Sequence, residues 1–320
     1  MKQLFTIDLK NYGDDWKRSR RDSARAVIHV GSDKLALVYA TKLGYYKFPG
    51  GGIHEGEDKI AALAREVQEE VGLVLVPESV REYGVASRYQ KSGLAENTIF
   101  VQDNFYYECD VERDESGNLK IISQNLDAYE DEAGFELRIV SIKEAALANR
   151  QYRDTNDFNI AMIARDARVL EMMAGMKSEP SRCMAELLLE EGVKKNPGPW
   201  REHSYAVARA AEKMARAVNE NCGEEKMNPD LAYIYGLLHD IGRQEGHTYI
   251  AHVYDDYDRL IQVLDSTCGA DGTLNLEDRM NDVKARYGYY PQGKWDKNFE
   301  LKAYFEKLAG REYYSIISPQ

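Results

Sequence analysis

Cysteine is scarce in this chain, with four in 320 residues. Cys109, Cys183, Cys222 and Cys268 stand far apart with no paired spacing, which excludes a disulfide framework and a Cys-only zinc site. Long apolar runs are missing, so no segment can cross a bilayer as a helix. Positive charge is in deficit: 42 Lys and Arg face 54 Asp and Glu, a formal net charge of −12. That balance argues against non-specific contact with nucleic acid or anionic membrane. It leaves a nucleotide substrate open, because bound cations invert a local field. Internal repeats and low-complexity stretches are absent too. Met1-Lys2-Gln3-Leu4-Phe5 runs into polar residues without a signal-peptide core, and a cytoplasmic location is the expectation. What remains is ordinary globular composition, 43% hydrophobic and 30% charged, in a chain long enough for two domains.

One segment carries far more information than the rest. Gly51 is followed after five residues by Glu57, and Glu57 after seven by Arg65-Glu66-Val67-Gln68-Glu69-Glu70-Val71-Gly72-Leu73. Ile60, Leu63, Ala64, Val67 and Val71 recur at helical spacing from Asp58 onward, and Gly72 is suited to end the helix in a left-handed turn. Glu66, Glu69 and Glu70 are expected on the face opposite that stripe. Like charges so close weaken a bare helix, and a hard divalent cation would reverse the sign, which suits magnesium or manganese. A solvated acidic face would explain neither Arg65 nor the glycines. Lys47-Phe48-Pro49-Gly50-Gly51-Gly52 places three glycines where backbone must turn sharply and approach a ligand closely.

Gly-x5-Glu-x7-Arg-Glu-apolar-x-Glu-Glu-x-Gly-apolar is the Nudix box, matched here at every position. The first half therefore resembles a Nudix hydrolase. The resemblance implies an α/β/α sandwich with a mixed sheet, and metal ions gathered by the Gly51 carbonyl, Glu66, Glu69 and Glu70. It implies that Arg65 orients those carboxylates, that Glu57 braces loop and helix, and that a metal-activated water attacks a diphosphate linked to another group. Glu66 is the preferred base, with Glu130 or Glu132 of Tyr129-Glu130-Asp131-Glu132 as the later-loop alternative. Tyr89, sixteen residues past Leu73, resembles the pattern of dinucleoside polyphosphate hydrolases, and it can equally be a core aromatic of a strand. Arg88 and Lys91 beside it are candidate phosphate contacts.

Strand-like runs at Ala26–Val30, Leu35–Tyr39, Thr98–Tyr107 and Glu136–Val140 precede a helix from Ser141 and another over Asn156–Met173. The expected division is a domain over 1–170, a linker over 171–182 and an almost wholly helical domain over 183–320.

In that second half, Leu237-Leu238-His239-Asp240-Ile241-Gly242 follows an apolar run, and His203 lies 36 residues upstream on the apolar stripe of its own helix. Asp265 falls on the buried side of a helix over Asp255–Thr267. Buried carboxylates are costly unless paired or metal-bound, and two histidines with two aspartates make a mixed N/O donor set. The arrangement resembles the HD-domain phosphohydrolases, an all-α bundle in which His203, His239, Asp240 and Asp265 would hold a divalent transition metal. The interval of 24 residues between Asp240 and Asp265 is short for that family, so a shortened HD bundle is expected, with His247 and His252 as its spare histidines. Three functions stay open. One is a two-domain enzyme in which the HD half hydrolyses the monophosphate released by the Nudix half. Another is a working Nudix domain on a silent HD scaffold, and the third is a nucleotide-sensing protein. Nudix domains often pair, so a homodimer is the assembly the resemblance suggests.

Overall fold

A computed structural model describes residues 1–242 and 255–318, and His247 and His252 lie outside the described residues. The chain divides into two compact units, Met1–Met184 and Ala185–Gln320.

The first unit is built on β1 (Gln3–Asp8), β2 (Lys17–Arg20), β3 (Ser23–Val27), β4 (Lys34–Ala40), β5 (Tyr45–Lys47), β6 (Arg81–Lys91), β7 (Thr98–Glu108) and β8 (Phe135–Ser141). β6 and β7 form an antiparallel pair. β1 runs parallel to β6, and β2 and β3 run parallel to β7, so this sheet is mixed. β4 pairs antiparallel with β5 and β8 in a second, three-stranded sheet. Three of the four expected strands sit where the residue pattern puts them. The Ala26–Val30 run is displaced: the strand ends at Val27, and His29 makes only an isolated bridge to Leu35.

The helices are set by caps as much as by apolar spacing. α1 (Lys59–Val71) starts at Asp58, whose carboxylate accepts from the Ile60 and Ala61 amides, and stops at Gly72 with φ 67°. α2 (Ala128–Ala133) is short and carries a capping box made by Asp127 and Glu130. α3 (Ile142–Gln151) starts at Ser141 and α4 (Asp157–Met173) at Asn156, each capping with its side chain. Lys59 of α1 sits 3.4 Å from the Phe105 ring centroid, whereas Asp166 of α4 accepts from Tyr106 Oη at 2.7 Å. Phe105 and Tyr106 are neighbours on β7 and point to opposite faces. α1 and α4 therefore cover the two sides of the mixed sheet, which gives the expected helix–sheet–helix layering. Residues 171–182 differ from a free linker. They begin inside α4, and Arg150 holds Glu171, Glu179 and the Lys177 carbonyl.

Among its described residues, the second unit is helical apart from one small hairpin. α5 (Arg182–Lys195) spans the division, and α6 (Trp200–Cys222), α7 (Pro229–Leu238), α8 (Asp256–Asp265), α9 (Leu276–Tyr287), α10 (Gln292–Ala309) and α11 (Tyr313–Ile317) follow. Between α8 and α9, β9 (Cys268–Gly269) pairs with β10 (Gly272–Thr273). The all-helical expectation misses this hairpin because each arm is two residues long around Ala270-Asp271. α6 supplies the centre of the core: Val207, Ala211, Met214 and Val218 are fully buried against Leu260, Leu264 and Phe305.

α6 and α7 approach so closely that a β-carbon at Gly236 would lie 2.8 Å from the Ala208 Cα, a backbone atom with nowhere to go. Gly236→Ala is therefore expected to destabilise the second unit by about 1–3 kcal/mol, although Ala is the better helix former by about 1 kcal/mol. Denaturant titration of the full chain checks the sign; a more stable variant would show that the helices can slide apart at no cost.

Candidate active site and metal centre

The first candidate site lies where the Pro49–Gly52 loop meets α1. Gly50 holds φ 136°, and a β-carbon there would lie 2.1 Å from the Ala24 carbonyl oxygen, so only glycine fits. At Gly51 a β-carbon would lie 2.1 Å from Glu66 Oε2, which puts that carboxylate directly on the loop. The Gly51 carbonyl accepts from the Ala24 amide at 3.0 Å and keeps a second lone pair.

Arg65 gathers the acids. Its Nε and Nη2 donate to the two oxygens of Glu57 at 2.9 and 3.1 Å. Nη1 donates to Glu66 Oε1 at 2.7 Å and Glu69 Oε2 at 3.0 Å, and Nη2 also reaches the Gly52 carbonyl at 3.1 Å. Glu57 further accepts from the His54 amide at 2.8 Å, which ties the loop to the helix. Hydrogen bonds from Arg65 and then from His54 pull the Glu57 carboxyl down to about 2. Glu66 moves the other way: burial raises it more than the Arg65 hydrogen bond lowers it, and the charge of Glu70 adds to the rise.

Glu70 does not join this cluster. It is 1% exposed, with one oxygen paired to buried Lys47 and the other accepting from the Gly50 amide at 2.9 Å. The expectation of three acids on one exposed face is corrected here, because Glu70 lies at the edge of the apolar stripe and turns inward. Lys47, its partner, is a site residue that spacing did not flag; its place beside the Pro-Gly turn was the available signal. The remaining oxygen-rich set, the Glu66 and Glu69 carboxylates with the Gly51 carbonyl, fits a hard divalent cation.

The outer candidates separate. Glu130 is half-buried on α2 and capped onto the Asp127 amide at 3.0 Å. Burial, then the charge of Glu70, lifts its carboxyl to about 7 against the Asp127 amide and Lys47. Glu132 is exposed. Arg88 is 1% exposed, wedged 5.2 and 4.3 Å from the Phe100 and Phe158 ring centroids and donating to Gln102 Oε1 and the Phe158 carbonyl. Tyr89 and Lys91 leave the same strand on the other face, so strand alternation prevents the three from forming one contact surface.

In the second unit, four side chains converge. His203 Nε2 lies 3.2 Å from His239 Nε2, with Asp265 Oδ1 at 3.0 Å from the first and 3.6 Å from the second. Asp240 Oδ2 is 3.9 and 3.7 Å from the same two nitrogens. His203 Nδ1 meets the Cys268 carbonyl at 3.1 Å and His239 Nδ1 the Gly236 carbonyl at 2.7 Å. With both Nδ1 atoms on backbone carbonyls, the two Nε2 atoms and Asp265 face one point, where a proton or a cation must sit. His203, His239 and Asp240 are buried and their donor atoms lie within 4.8 Å of one another. The side chain of Asp265 is 42% exposed, so the buried-side expectation is only half met. Burial opposes ionisation of Asp265, but hydrogen bonds from His203 and His239 reverse this and hold it well below the usual carboxylate range. For His239, burial is outweighed by Asp265 and then Asp240, and the imidazole is raised. This nitrogen–oxygen set fits a divalent transition metal.

Comparison with known proteins finds a match in each half of the chain. Residues 19–158 match the family model for the NUDIX domain, and residues 200–269 match that for the HD domain. A NUDIX hydrolase from Nitrosomonas europaea is similar at 21% identity, over 51% of this chain and 93% of that one, with a TM-score of 0.31. A mutator MutT protein from Bacillus halodurans is similar at 15% identity, over 40% of this chain and 72% of that one, with a TM-score of 0.26. No curated protein matches. The chain thus carries a NUDIX domain followed by an HD domain. Both define hydrolases of phosphate-containing substrates that typically depend on divalent metals. Among the described residues no helix is long and apolar enough to cross a membrane.

Two outcomes follow from these geometries. A carboxyl raised in the folded state holds its proton more tightly there than in the unfolded chain. Stability contributed by Glu130 is therefore lost as pH rises from the ordinary carboxylate range through about 7. Glu130→Gln keeps the capping-box partner, so it should exceed the wild type by roughly 1 kcal/mol above that pH after solvent screening. Equal pH profiles of thermal stability would refute this. For the second unit, added Mn²⁺, Co²⁺ or Zn²⁺ should raise the melting temperature of the full chain and co-purify near one ion per chain, and His239→Ala should abolish both effects.

Proposed function

We propose that the NUDIX half hydrolyses the diphosphate linkage of a nucleoside diphosphate derivative, within residues 1–170. One observation carries this reading: Arg65 holds Glu57, Glu66 and Glu69 together against the Gly51–Gly52 loop. Bound Mg²⁺ or Mn²⁺ supplies charge neutralisation on the phosphate oxygens and lowers the pKa of a water. Glu66 Oε2, against Gly51 and free of Arg65, is the atom placed to accept that water's proton, and the raised basicity of Glu66 suits the task. Arg65 fixes the carboxylates, and Glu57 transmits that order to the loop through the His54 amide. Glu70 contributes by pairing with Lys47 and the Gly50 amide, which fixes the turn from beneath.

A second reading has its own support. The convergence of His203, His239, Asp240 and Asp265 favours a phosphate-ester hydrolase in residues 183–320 over a silent scaffold. The backbone carbonyls of Cys268 and Gly236 hold both imidazoles in the ligating tautomer, an arrangement a purely structural core does not require. The first half's monophosphate product would then be the second half's substrate.

The test uses the full chain with Mg²⁺ and a panel of ADP-ribose, nucleotide sugars, dinucleoside polyphosphates and nucleoside triphosphates, with products identified by mass. Phosphoanhydride cleavage should fall by about 10²- to 10⁴-fold in Glu66→Gln. Release of free phosphate or nucleoside that disappears in His239→Ala would assign the second activity. Undiminished cleavage in Glu66→Gln would sink the assignment of the base.

A further inference from the structure

The cations around the NUDIX loop are almost all spent. Arg65 directs its donors at three carboxylates and the Gly52 carbonyl. Lys47 is paired with Glu70, Arg20 with Asp22 and Asp103, and Arg25 is buried on the Phe48 and Gly50 carbonyls. Arg21 differs. It is exposed, and its guanidinium has no hydrogen bond or ion pair among the described residues.

Its backbone is nevertheless tied to the loop. The Arg21 amide donates to the Val101 carbonyl at 3.1 Å, the Ile53 amide to the Asp22 carbonyl at 2.9 Å, and Ser23 bridges Gly52. A β-carbon at Gly52 would lie 2.8 Å from Arg21 Nε. Consecutive glycines thus carry the proposed base on one side, Glu66 against Gly51, and an unpaired guanidinium on the other, Arg21 against Gly52. In a chain of net charge −12, an exposed guanidinium beside this loop with no carboxylate partner among the described residues is open to an anion. The two phosphates flanking the scissile bond would be met by the cations that Glu66, Glu69 and the Gly51 carbonyl would hold, which leaves Arg21 for a further one.

We propose that Arg21 is a specificity-determining residue that recognises a third phosphate, making the substrate a nucleotide with three or more consecutive phosphates rather than a two-phosphate nucleotide sugar. This rests on the hydrolase reading of the loop and α1. The guanidinium offers planar, paired donors to phosphate oxygens, which a lysine at the same place would not.

The experiment compares wild type, Arg21→Gln and Arg18→Gln as full chains with Mg²⁺. Arg18 is exposed three residues earlier and controls for a general loss of surface charge. The ratio of kcat/KM for polyphosphate nucleotides to that for ADP-ribose should fall about 10- to 100-fold in Arg21→Gln and stay unchanged in Arg18→Gln. An unchanged ratio in Arg21→Gln, or an equal fall in Arg18→Gln, overturns the proposal. Should the wild type hydrolyse nothing on the panel, the hydrolase reading fails separately. Calorimetric binding of inorganic tripolyphosphate against pyrophosphate then decides: an advantage for tripolyphosphate that vanishes in Arg21→Gln upholds the role of Arg21, and no advantage ends it.

Discussion

Everything in the NUDIX half turns on one guanidinium. Glu57, Glu66 and Glu69 would repel one another where loop and helix meet, and Arg65 makes their company stable with five donated hydrogen bonds, including one to the Gly52 carbonyl. The planar fork matters, because three carboxylates and a carbonyl must be met from fixed directions at once. A lysine could neutralise charge but not hold that pattern. The glycines follow from the same constraint. A side chain at Gly51 would occupy the space of the Glu66 carboxylate, and one at Gly50 would strike the strand behind.

Residues of one type take different roles through surroundings alone. Glu57 is stripped of basicity by Arg65 and the His54 amide. Glu66 is made more basic by burial in spite of the same arginine. Glu70 is neutralised by buried Lys47 and serves the loop. Glu130 is raised to about 7 by burial beside Glu70. The spread among Glu57, Glu66 and Glu130 comes from hydrogen bonds, burial and neighbouring charge, without a change of chemistry. The second unit solves the same problem with other donors. There the orienting groups are main-chain carbonyls, one at the β9 turn and one in the last turn of α7. The hairpin too short to read as strands therefore fixes an imidazole.

What was legible in the residue string was whatever one helix encodes by spacing. Asp58, Arg65, the acids and Gly72 are all within one stretch of local backbone, and cap, stripe and end fall where the pattern puts them. The four converging groups of the second unit were legible for a related reason: His203 and Asp265 stand on helical apolar stripes where a polar residue is conspicuous, and His239-Asp240 follow the apolar run that ends with α7. Long-range pairing left no such mark. Lys47 meets Glu70 across 23 residues and Arg25 meets the Gly50 carbonyl across 25, and neither has a periodicity to betray it. Arg88 looked like a surface cation because its neighbours Tyr89 and Lys91 are polar or aromatic. The strand alternates, and α4 lays Phe158 over it.

The same reasoning explains why charge near a catalytic loop cannot be counted from sequence. Lys17-Arg18-Ser19-Arg20-Arg21 reads as one basic run. In the fold, Arg20 is consumed by Asp22 and Asp103, while Arg21 is carried by the Ser23–Gly52 bridge to the edge of the loop. Recognition of an anion depends on the cation left over after internal pairing, and that remainder is a property of the three-dimensional ledger of donors and acceptors. Where carboxylates absorb most of the cations around a loop, a single guanidinium left without a carboxylate partner among the described residues can decide which anion is held there.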